Sequence, residues 1–224
     1  LSRKEEYGIS AGSTPSTEAN DFGRFRRPLV YGGMAAATAA TLILAHLLGS
    51  FERHGHVRAD DVCTHVPGRE KTAEILDSVL PRAPNYSFNG TWRPDRNWEF
   101  RSTCTVTGDA SESLLILAAE MGSARPWKQW AETEIPPNSG GKTTYFAAGL
   151  KGVSNAEVAA IWVPCYASEK TSKQPWNMTV LADALKPLET SDKEARQTLI
   201  DLATDFARQA HKDAKCDLPS KLPS

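Results

Sequence analysis

Residues 98–121 read WEFRSTCTVTGDASESLLILAAEM. Trp98, Phe100, Ser102, Cys104 and Val106 recur at period two, the pattern of a strand with one buried face. The polar turn TGDASES interrupts it. SLLILAAEM then follows as a strand apolar on both faces, which suits a central place in a sheet. Cys104 shares its face with Trp98 and Phe100, so a buried structural sulfur is expected there.

Working outward, the stretch before it supplies a first helix at about 69–80, with Ala73, Leu76, Val79 and Leu80 on one stripe and Pro81 as its stop. Tyr86, Phe88 and, after Gly90, Trp92 give a strand, separated from the next by the turn at Pro94 and Asp95. Downstream, residues 124–135 place Pro126 in a first turn and Trp127, Trp130 and Ala131 on one side, as in a short amphipathic helix. Two Trp at this spacing are expected to be core, rather than an exposed platform for sugar stacking. PPNSGGK is a loop. It has Pro136 where a phosphate-binding G-x-x-x-x-G-K-[ST] loop requires glycine, so nucleotide binding there is excluded.

Three further strands are expected at about 143–149, 157–166 and 176–184. Ser191 and Glu194 then form a capping box, and Ala195, Leu199, Leu202, Phe206 and Ala210 run down a helix of about 24 residues ending near Cys216. The order strand, cysteine-bearing strand, apolar strand, helix occurs twice, with Cys104 and Cys165 in equivalent places. It predicts an α+β domain with two βββα-like halves, a mostly antiparallel sheet and a long C-terminal helix lying across one face.

All four cysteines, Cys63, Cys104, Cys165 and Cys216, fall in the C-terminal part of the chain, and none forms a C-x-x-C pair. Redox and zinc-ribbon chemistry lack their required spacing. Four cysteines admit three connectivities. Cys63–Cys104 with Cys165–Cys216 is favoured, because each bridge clasps its own half in a loop of about 40 or 50 residues, contributing roughly 3–4 kcal/mol.

Residues 28–51, PLVYGGMAAATAATLILAHLLGSF, contain no Asp, Glu, Lys or Arg. At about 1.5 Å per residue a helix of roughly 20 apolar residues crosses a ~30 Å hydrocarbon layer, so a transmembrane helix is expected. No small-x-small cleavage site follows, and the segment reads as an uncleaved anchor. Arg24, Arg26 and Arg27, with Arg3 and Lys4, outweigh Arg53 and Arg58 and place the N-terminus inside. The expected domains are a disordered cytoplasmic tail (1–27), the anchor (28–51), a stalk (52–62), an extracytoplasmic domain with two disulfides (63–217) and a disordered tail (218–224). Gly33, Ala37 and Thr41 form a row of small residues on which two anchors would pack, giving a homodimer through the anchor.

The chain has 224 residues, 26 Lys+Arg and 27 Asp+Glu, so no net basic field exists to attract nucleic acid. The region expected to fold, residues 63–217, contains neither G-x-S-x-G nor H-E-x-x-H. His54, His56 and His65 are read as residues of a solvated linker and its junction, His211 as solvated on the last helix, and no metal or cofactor is expected. Glu120, Glu132, Glu134, Glu157 and Asp183 are carboxylates from which a catalytic pair could be drawn. With the basic tail and anchor, the segments DVC, RSTCTVTGD, WVPC and ARQTLIDLATDFARQAHKDAKC give residues 24–217 a layout that resembles the actinobacterial single-pass cell-envelope proteins of unknown function. That resemblance implies a membrane-anchored ectodomain and carries over no catalytic residues. The expectation is a binding or assembly module of the envelope, with the bilayer and an envelope protein or cell-wall ligand as partners. The alternatives are a cell-wall hydrolase or transferase using paired carboxylates, and a sensor signalling by anchor dimerisation.

Overall fold

The computed structural model describes residues 54–94, 99–122, 126–135, 141–167 and 175–224. The expected tail (1–27), the anchor with Gly33, Ala37 and Thr41, and Trp98 lie outside the described residues. Among those described, no helix is long and apolar enough to cross a membrane.

The domain is α+β. Strands β1 (Ser87–Arg93), β2 (Arg101–Thr107), β3 (Ser113–Gly122), β4 (Thr144–Phe146), β5 (Lys151–Ser154), β6 (Val158–Tyr166) and β7 (Trp176–Ala184) form one sheet in the order β1-β2-β3-β7-β6-β5-β4. Every neighbouring pair is antiparallel. Helices α1 (Arg69–Val79), α2 (Trp127–Glu134) and α3 (Asp192–Asp213) complete it.

Side-chain alternation assigns the two faces. On β6, Ala159, Ile161, Val163 and Cys165 belong to the main core, where α3 supplies Leu199, Ala203 and Phe206 and α1 supplies Leu76. Val158, Ala160 and Trp162 point the other way, into a second cluster built with Trp130 and Ala131 of α2. Strand β6 is therefore buried on both faces, as a near-continuous apolar run requires. The capping box at Ser191 and Glu194 starts α3 as expected, and burying side chains such as Leu199 and Phe206 contributes about 1.5–3 kcal/mol each.

Three expectations need correction. The halves are not both βββα, because a strand the sequence pattern did not reveal, β5, gives the second half four strands, and α2 and α3 lie on opposite faces. Residues from 54 to 62 are not a free stalk: Gly55 N–H donates to the Ala83 carbonyl at 2.8 Å and Val57 N–H to Asp77 Oδ1 at 2.7 Å. Val57 and Val62 are buried against the core, which is the apolar gain that holds this polar stretch down. Residues 218–224 are not a loose tail either. Leu218 N–H donates to the Cys165 carbonyl at 3.0 Å, Gly149 N–H to the Lys221 carbonyl at 3.0 Å, and the Arg208 guanidinium to the Pro223 carbonyl at 2.6 Å. Leu222 packs on the core.

Candidate functional site

Both disulfides have the favoured connectivity, Cys63–Cys104 and Cys165–Cys216, with Cα separations of 6.0 and 4.4 Å. Their role is structural: Cys104 and Cys165 are buried in β2 and β6. Gly90, opposite Cys104 on β1, makes room for the first bridge, since a Cβ there would stand 3.0 Å from Cys63 Sγ and 2.8 Å from the Thr103 carbonyl oxygen. Such bridges belong to an oxidising compartment.

The two tryptophans grouped on one helix side separate in the structure. Trp130 is buried, stacks on Trp162 with ring centroids 5.7 Å apart, and donates its Nε1–H to Thr179 Oγ1 at 2.9 Å. Trp127 is the first residue of α2. It remains 36% exposed and meets the 52% exposed Tyr145 edge to face at 5.6 Å. The expectation of core therefore holds for Trp130 and is corrected for Trp127.

Lysines complete the cluster. Tyr145 pairs with Val153 across β4 and β5, and Lys151, two residues before Val153, shares that face as a diagonal neighbour. Its Nζ lies 5.0 Å from the Trp127 ring centroid and 5.4 Å from that of Tyr145, and Lys128 Nζ lies 5.8 Å from Trp127. These are cation–π contacts, in which ring faces hold positive charge at the surface. Beside the cluster runs a shallow groove of about 660 Å³ lined by Tyr145, Phe146, Leu150, Lys151, Leu222 and neighbouring residues, with no carboxylate among those described. Its far wall is the C-terminal segment docked through Lys221. A tight aromatic and basic surface over a docked apolar lip can grip a flat, partly apolar, anionic ligand.

The five carboxylates do not converge. Glu120 pairs with Arg101 at 3.1 Å beside an open polar recess, and Glu132 is exposed on α2 while Glu134 is half-buried there. Of the five, Glu157 and Asp183 come into electrostatic reach: burial, and then the Glu157 charge, raise the Asp183 carboxyl above its ordinary pKa. His65 is tied to the Thr103 carbonyl at 2.8 Å, and half-buried His211 donates to the Leu218 carbonyl at 2.9 Å rather than standing solvated.

No family model, curated protein or solved structure matches this chain. Its site must be read from its own atoms. Sequence patterning found the Trp127 and Tyr145 stretches but gave neither an exposed role, and Lys151 lay in the unrecognised β5.

Proposed function

We propose that the chain is a membrane-anchored, extracytoplasmic binding module of the cell envelope, and that the Trp127–Tyr145–Lys151 cluster is its ligand contact. The observation that carries this reading is an exposed aromatic pair capped by lysine along a shallow groove with no carboxylate among its described lining residues. Aromatic rings present apolar area at small entropic cost and are enriched where binding energy concentrates. Their faces suit the C–H faces of sugar rings, and Lys128 and Lys151 suit carboxylate or phosphate substituents, so an anionic cell-wall glycan is the ligand class. The uncharged run at 28–51 and the disulfides support the placement.

In co-sedimentation with anionic cell-wall glycan, the full chain is expected to bind, and W127A with Y145A to weaken binding about 10- to 30-fold without lowering the melting temperature. Added salt should weaken the lysine contribution. Unchanged binding by the double variant removes the cluster from the function. The placement has a separate test. A reporter enzyme that matures only under oxidising conditions, fused after Ser224, is expected to be active in cells. Activity confined to a cytosolic reporter overturns the topology.

A further inference from the structure

His54 and His56, at the start of the described residues, stand together with Asp77 of α1. We propose that they form a binding site for a divalent transition-metal ion of the Zn2+ class. One ligand atom from each residue can be chosen so that all three lie within 4.8 Å of one another. His56 Nδ1 and Asp77 Oδ2 are 3.2 Å apart, and the His54 and His56 rings meet edge to face with centroids 5.6 Å apart. Tetrahedral zinc with bonds of about 2.0–2.2 Å to N and O sets its donor atoms about 3.4 Å apart. The His56–Asp77 pair is already close to that spacing, and a ligand atom of the exposed His54 ring lies within 4.8 Å of both.

The surroundings give the site the scaffold that a His-x-His sequence lacks by itself. Asp77 sits in the last turn of α1, and its other oxygen, Oδ1, accepts the Val57 N–H at 2.7 Å. That bond orients the carboxylate as an outer-shell partner does in metal sites. Between the histidines, Gly55 lies so close to the Pro84 carbonyl that an added Cβ would stand 2.6 Å from its oxygen, and its own N–H is bonded to Ala83. The His54 ring is backed by Tyr86, centroid to centroid 6.2 Å. Two imidazoles and one carboxylate favour zinc, copper or nickel over calcium or magnesium, which take all-oxygen sets. Exposure of both histidines leaves a coordination position for water.

Tag-free full chain titrated with Zn2+ is expected to bind one equivalent that depends on these three residues, with a melting temperature that rises with metal by mass action. Ca2+ and Mg2+ should produce no shift. H54A, H56A and D77N should each weaken zinc at least about tenfold. The amide introduced by D77N retains an oxygen for the Val57 N–H, and the histidines are exposed, so each variant should keep the metal-free melting temperature within about 1 °C of wild type. Absence of saturable zinc binding, or binding unchanged in the H54A/H56A double variant, overturns the site.

Discussion

Replacing Cys165 and Cys216 together by alanine is expected to destabilise the domain by about 4 kcal/mol, because the bridge removes loop-closure entropy from an unfolded chain over a sequence separation of 51 residues. The same model assigns nearly the same figure to Cys63–Cys104, at a separation of 41, so entropy alone does not rank the two. What surrounds Cys165 does. Its carbonyl accepts both the Asp217 and Leu218 N–H groups at 3.0 Å, Ala167 N–H donates to Asp217 Oδ1 at 3.0 Å, and the Tyr166 hydroxyl donates to the Ala214 carbonyl. These bonds fasten the end of α3 and the C-terminal segment to β6, and that segment forms one wall of the candidate groove. The double variant should therefore unfold at lower denaturant and, before global unfolding, admit trypsin at Lys215 and Lys221. Loss of Cys63–Cys104 should leave those two sites protected. A Cys165/Cys216 variant less than about 1 kcal/mol weaker than wild type, with both lysines still protected, would show that the main-chain bonds alone hold the segment.

The parts of this fold that patterning could reach are those whose information is local. Helix α3 announces itself through Ser191, Glu194 and a stripe from Ala195 to Ala210, all contained in one 22-residue element and its cap. β3 is legible because a strand apolar on both faces belongs inside a sheet, and the sheet gives it β2 and β7 as neighbours. β5, by contrast, is KGVS: four residues with Gly152 in their midst, too short to show a period, and recruited by pairing with β4 and β6. The C-terminal DLPSKLPS has the composition of a loose tail and is held through main-chain groups, which no side-chain pattern records. Asp77 follows His56 by 21 residues, so linear spacing could reveal the histidines of the proposed metal site and not the carboxylate that braces it.

Trp130→Ala is expected to cost about 3–5 kcal/mol, whereas Trp127→Ala should remain within about 0.5 kcal/mol of wild type. Both residues sit on the same short helix, three positions apart, and the difference lies in what each touches. Trp130 is 1% exposed and anchors the smaller core of Ala131, Ile135, Val153, Val158, Ala160 and Trp162. An eight-residue helix has too few internal hydrogen bonds to persist alone, so removing its main apolar contact should release α2 from the sheet as well as leave a cavity. Truncation also deprives Thr179 of the indole donor. Trp130→Phe separates these effects: it keeps an aromatic ring near Trp162 but loses the 2.9 Å bond to Thr179 Oγ1, and should cost roughly 1 kcal/mol for that bond beyond any repacking loss. Denaturant midpoints on all three variants decide the matter. Equal losses for Trp127→Ala and Trp130→Ala would mean that Trp127 is a core residue after all, and the aromatic surface assigned to ligand binding would lose its free ring.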